Sequence, residues 1–225
     1  AFIPGLIAVF TSLILKEKKP LPAKKVRSTS FFEYYRWFKQ SPDTYRRLVT
    51  GLLFFALINS SDVFLLLKAK QSGLNDTEVI GIYIFYNLVY AFASYPMGYL
   101  ADKFGLKSIF IAGLVVFSLT YLGFGIANDL ILYLTLFAAY GLYAAATEGI
   151  SKAWISNYTR REDWGTAIGT YTGFQSICAL ISSTIAGIIW SVFGSEILFI
   201  STGLISLVIS TYFLLFVSNK RYEES

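Results

Sequence analysis

Histidine is absent from the 225 residues, and cysteine occurs once, at Cys178. Without histidine there is no Ser-His-Asp triad, no His-ligated metal centre and no imidazole proton relay. A lone cysteine excludes an internal disulfide framework and any CxxC metal or redox pair. Charge is scarce too, with Asp, Glu, Lys and Arg together making up only 15% of the chain. Nor does HExxH, GxSxG, a paired-carboxylate motif or a nucleotide-binding P-loop occur, so enzymatic chemistry and direct use of ATP have no support. No cofactor and no metal site is expected. What fills the sequence instead is 55% hydrophobic and 18% aromatic residues. That is too apolar for an ordinary soluble domain, and it points to lipid as the solvent.

A spanning helix needs about 20 predominantly apolar residues to cross a hydrocarbon core of about 30 Å. Stretches near 48–67, 79–100, 108–127, 130–150, 165–193 and 197–217 meet that requirement, which predicts six complete spans. Residues 1–15, AFIPGLIAVFTSLIL, are apolar but short, and lack the basic start of a signal peptide. They read as the tail of a helix whose beginning lies upstream.

Ten of the nineteen Lys and Arg residues fall between Lys16 and Arg47. Lys103 and Lys107 follow the second span, Lys152, Arg160 and Arg161 the fourth, and Lys220 and Arg221 the last. Only Lys68 and Lys70 sit in a loop of the opposite parity. The positive-inside rule makes the basic face cytoplasmic. Because the bias follows loop parity, a nucleic-acid-binding patch is a poor account of it, and no nucleic-acid partner is expected. The polar stretch at 16–45 begins as a solvated linker, KEKKPLPAKK, and ends in SFFEYYRWFKQS, whose mixed aromatic and basic composition suits a short helix at the lipid headgroups. Binding of a partner by that second part is the alternative. Small residues at helical spacing, Gly165, Gly169 and Gly173 in the fifth span and Gly141, Ala145 and Gly149 in the fourth, predict close helix packing.

The junction after the second span runs Gly98-Tyr99-Leu100-Ala101-Asp102-Lys103-Phe104-Gly105-Leu106-Lys107. It reads as a compact hairpin: Gly98 for close packing, Asp102 to cap or meet the positive end of a helix, Gly105 for the turn, and Lys103 and Lys107 to hold the cytoplasmic side. This run resembles the G-x-L-x-D-[RK]-x-G-[RK]-[RK] signature of the major facilitator superfamily (MFS), with Leu106 departing from one basic position. The stretches Asn59-Ser60-Ser61-Asp62-Val63, Tyr86-Asn87-Leu88-Val89-Tyr90 and Tyr140-Gly141-Leu142-Tyr143 are similar to a set found in a group of bacterial members known only as transporters.

The resemblance implies an all-α integral membrane fold: the C-terminal six-helix half of a twelve-helix bundle, helices 7 to 12, with the end of helix 6 at residues 1–15. Residues 16–45 would then be the cytoplasmic central loop, 46–218 the six-helix bundle and 219–225 a cytoplasmic tail. It further implies a secondary active transporter of a small solute in the plasma (inner) membrane, working by alternating access with ion coupling, the proton first. The implied partners are the solute or ion, the bilayer and an N-terminal half of the same protein. A receptor or scaffold that kept the fold and lost transport is the alternative.

An ionisable group inside a span costs roughly 2.5–3.5 kcal/mol on insertion scales and needs a reason to be there. Asp62 lies fifteen residues past Arg47, about 22 Å along a continuous helix at 1.5 Å per residue, with Asn59 on the same face. It is either a coupling or substrate-contacting carboxylate, or an outer-end group paired with Lys68 or another helix. Glu148 precedes Lys152 by four residues, the favourable order for an ion pair that gates or braces the bundle. Asn87, with Tyr83, Tyr86 and Tyr90 nearby, and Gln175 with Tyr171 lie near the middle of their spans. They either bridge helices or line a central cavity.

Overall fold

A computed structural model describes residues 31–217, with side chains from residue 33 onward. The expectations for residues 1–15, for the linker as far as residue 30 and for the tail at 219–225 lie outside the described residues. Eight α-helices follow one another: α1 Phe31–Gln40, α2 Asp43–Ala56, α3 Val63–Gln71, α4 Asp76–Phe104, α5 Leu106–Ile126, α6 Leu130–Asn157, α7 Trp164–Phe193 and α8 Ser195–Phe216. A 3-10 turn, Arg161–Asp163, leads into α7. Five of these helices, α4 to α8, are long and apolar enough to cross a membrane. The chain is an integral membrane bundle, as its composition requires.

The expected first span at 48–67 is two helices, not one. The α-helical bonding ends with Asn59 N–H donating to Phe55 O, after which Ser60 N–H turns back to Ile58 O. Bonding resumes as Phe64 and Leu65 donate to Ser61 O and Asp62 O. The cause is local: Asn59, Ser60, Ser61 and Asp62 form a run of residues whose short polar side chains compete for backbone groups and favour helix ends over interiors. Ser61 Oγ, for example, accepts from Val63 N–H at 3.4 Å. Contacts on neighbouring helices still march in one direction across the break. Tyr45 Oη donates to Ala167 O and Ser61 N–H to Ser183 Oγ along α7. Along α6 the partners step from Tyr143 at Asn59, through Tyr140 at Asp62, to Tyr133 at Ser72. α2 and α3 therefore form one discontinuous segment. Lys68, expected in a loop, is on α3, buried, with Nζ donating to Ser195 Oγ at 3.3 Å.

Helix ends are closed by side chains suited to them. Asn75 and Glu78 make a reciprocal capping box at the start of α4, and Asp129 accepts from Leu132 N–H at the start of α6. Gly105 takes φ +91° between α4 and α5, a conformation that other residues rarely adopt. Lys107 goes beyond its expected part: its ammonium donates to Leu214 O at 3.0 Å and Val217 O at 2.7 Å, capping the negative end of α8. Gly98, expected to permit close packing, has no heavy atom of the described residues in position to meet a Cβ.

The tightest packing joins α5 to α8 and α6 to both α4 and α5. Aromatic rings fill it, with Phe117 stacked on Tyr121 at 4.1 Å and meeting Phe55 edge-on at 5.0 Å. Of the two predicted small-residue stripes, Gly141 is used, since a Cβ there would lie 2.9 Å from Val89 and 3.1 Å from Tyr86 O. The α7 stripe of Gly165, Gly169 and Gly173 meets nothing among the described residues. Burial follows the same division: 56% of the most apolar window is buried in α5 and α6, 44% in α8, but only 17% in α4 and 11% in α7. The aromatic helix α1 folds back onto the bundle through Trp37 against Tyr45 and Phe38 against Phe174.

Candidate functional site

A cavity of about 210 Å³ opens between α2, α6 and α7. Its floor is apolar, made by Leu52, Phe55 and Ala56 of α2 with Phe110 of α5. Its polar wall comes from α6, where 3.6-residue periodicity brings Tyr143, Thr147 and Ser151 onto one stripe with Glu148 and Lys152 beside it. Tyr171 and Gln175, one turn apart on α7, face them. Five of the residues singled out from sequence, Asn59, Glu148, Lys152, Tyr171 and Gln175, thus meet at one place.

The stripe is pre-oriented by bonds inside its own helix. Thr147 Oγ1 donates to Tyr143 O and Ser151 Oγ to Glu148 O, which satisfies both hydroxyl donors without reaching into the cavity. Asn59, released by the break, crosses from the discontinuous span so that Nδ2 donates to Tyr143 Oη at 3.0 Å. Its Oδ1 is buried and has no hydrogen-bond partner among the described residues.

One expectation about charge needs correcting. The predicted ion pair of Glu148 with Lys152 is not among the ion pairs of the described residues, which are Arg46 with Asp43, Lys70 with Asp76 and Arg160 with Glu162. Glu148 Oε2 instead accepts the Tyr90 hydroxyl of α4 at 2.9 Å. A phenol held on a neighbouring packed helix meets the carboxylate at no rotamer cost to a long lysine chain. Asp62, with Lys68 or another helix as its expected partner, meets another helix. Tyr140 Oη donates to its Oδ1 at 2.7 Å, while Lys68 serves Ser195. Asp62 is not among the residues that line the cavity; it is linked to the wall through Tyr140, whose ring lies 5.2 Å from that of Tyr143.

Asn87 stands apart. It lies on the exposed face of α4, with Nδ2 donating to Tyr83 O one turn back at 2.7 Å, and among the described residues it neither lines the cavity nor hydrogen-bonds to another helix. The signature-loop residues Asp102, Gly105 and Lys107 line a separate cavity of about 470 Å³ beside Trp154 and Asn157, while Lys103 lies over the Phe104 ring at 5.4 Å. Sequence reasoning missed Tyr140, Tyr143, Thr147 and Ser151 as site residues. The last three share the four-residue spacing of a helix face, a signal diluted by the sixteen tyrosines of the chain.

Comparison with known proteins agrees with this architecture. A family model described as Major Facilitator Superfamily matches residues 48–225. A protein of Methanocaldococcus jannaschii described as an uncharacterized MFS-type transporter is 30% identical over 223 residues, taking in 96% of this chain and 54% of that protein. The chain spans about half the length of this curated relative.

Proposed function

Because the chain belongs to the major facilitator superfamily, a family of membrane transporters rather than enzymes, we propose that it forms part of a secondary active transporter of a small polar solute. The observation that carries this is the membrane-embedded cavity at α2, α6 and α7. There a carboxylate, an ammonium group, an amide and phenols converge although each is costly to keep away from water. Sites of this kind, polar groups gathered where helices face a shared opening, are what solute binding within a bundle requires.

Alternating access needs a second body to rock against. The sparse burial of α4 and α7 supports one, because their open faces are not uniformly oily: Asn87 and Tyr83 on α4, and Thr172, Ser176 and the glycine stripe on α7, are exposed. Smooth small-residue faces let helices approach closely and slide. We place a further helical half of the same protein there, with Asn87 turned toward the shared space. The loop after α6 and the region before α2 lie on the cytoplasmic side in this arrangement, following the basic residues. An ion gradient drives the cycle.

The test is flux through proteoliposomes of the complete protein, challenged with panels of amino acids, sugars and organic cations under imposed proton and sodium gradients. Gradient-dependent movement of at least one solute, lost in Glu148→Gln, is expected. No movement of any solute by a folded protein would instead favour a receptor or scaffold.

A further inference from the structure

Asp62 is a carboxylate within the bundle, yet no ion pair among the described residues includes it. Its one hydrogen bond comes from Tyr140, a neutral donor. Around it, several oxygen atoms have no hydrogen-bond donor among the described residues. Asn59 Oδ1 is buried without a partner, its amide nitrogen being committed to Tyr143. Tyr121 is 1% exposed, and its hydroxyl lies beside those of Ser60 and Tyr140. The break adds backbone oxygens: no N–H of the described residues is bonded to the carbonyls of Ala56, Leu57, Asn59 or Ser60.

Unsatisfied buried polar groups are uncommon in native structures, and an orphaned amide oxygen with freed carbonyls beside a carboxylate that has no ion pair suits a positive ligand. The donor set is hard, oxygen only, and carries one negative charge. Softer metals draw on thiolate or imidazole, and calcium sites usually gather several carboxylates. A monovalent alkali cation fits the charge, and unwound backbone between two half-helices is a general means of coordinating one in a membrane.

We propose that a monovalent alkali cation binds at the break between α2 and α3, held by the Asp62 carboxylate, the Asn59 amide oxygen and the freed carbonyls around Ser60. Asn59 also lines the solute cavity and holds Tyr143, so an ion drawing on its amide oxygen fixes part of the cavity wall. That step is the coupling, and it alone rests on the transporter reading above; the ion site does not.

Binding of radioactive sodium to the complete protein in detergent, followed by scintillation proximity, tests the site without requiring transport. Saturable binding is expected, displaced by an excess of unlabelled sodium. It weakens roughly tenfold or more in Asp62→Asn and in Asn59→Ala, and is unchanged in Asp76→Asn, whose carboxylate belongs to an exposed pair with Lys70. Sodium should also raise the unfolding temperature of the unaltered protein and not that of Asp62→Asn. If Asp62→Asn does not fold, Asn59→Ala decides. Absence of saturable binding to folded protein, or binding indifferent to both substitutions, overturns the proposal. Solute flux driven by a proton gradient with no sodium binding would remove the site and leave the transporter. Sodium binding without any solute flux would do the reverse.

Discussion

At the scale of single residues, the tyrosines decide which charges can remain in the bundle. Tyr90 and Tyr140 each present a hydroxyl to a carboxylate, Glu148 and Asp62, from a neighbouring helix. Hydrogen bonds to charged groups contribute about 1.5–3 kcal/mol, so Tyr140→Phe should lower stability by about that amount in thermal or detergent unfolding. For Glu148 the structure makes a contrast. Glu148→Gln and Tyr90→Phe should combine non-additively in a double-mutant cycle of stability, with a larger coupling than Glu148→Gln and Lys152→Met. Coupling between Glu148 and Lys152 larger than that between Glu148 and Tyr90 would refute the assignment. The charged members of the site were legible in the sequence because a charge in lipid always demands an explanation. Their partners were not, because a phenol is cheap to bury and the pattern of sixteen tyrosines does not say which hydroxyl meets which acid.

At the scale of elements, the long helices could be read directly from apolar runs of sufficient length, and α4 to α8 fall where the runs lie. The break in the first span could not. Two apolar stretches flank only four polar residues, and a length criterion counts straight through them. The chemistry was still present, since Asn, Ser and Asp together are a helix-end composition. Packing was half legible for a related reason: spacing reveals a small-residue face but not what lies against it. Gly141→Leu should drive side-chain atoms into Val89 and the backbone at Tyr86, costing about 1–3 kcal/mol by overpacking. Gly169→Ala, facing open space, should leave the fold of these helices within about 0.5 kcal/mol. If Gly169→Ala abolishes flux without loss of folded protein, the α7 face is a working surface. Lys107→Met should leave the last turn of α8 uncapped, seen as faster amide exchange there than in the unaltered protein.

At the scale of the whole molecule, the side of the membrane each end faces is open to direct measurement. In a Cys178→Ser background, Lys70→Cys should react with an impermeant thiol reagent added outside cells, and Arg161→Cys only after permeabilisation. The reverse labelling would invert the orientation drawn from the basic residues. The helices also differ in length, 29 residues in α4, 28 in α6 and 30 in α7 against 21 in α5 and 22 in α8. At 1.5 Å per residue the short pair extends only about 32 Å, close to the thickness of a typical hydrocarbon layer of about 30 Å. The longer three have turns to spare and can tilt or emerge. α5 and α8, joined by the tightest contact in the bundle, have no such latitude. Lipid acyl-chain length should therefore act on this protein first through α5 and α8, with thick bilayers stretching the match there while the other helices simply stand more upright.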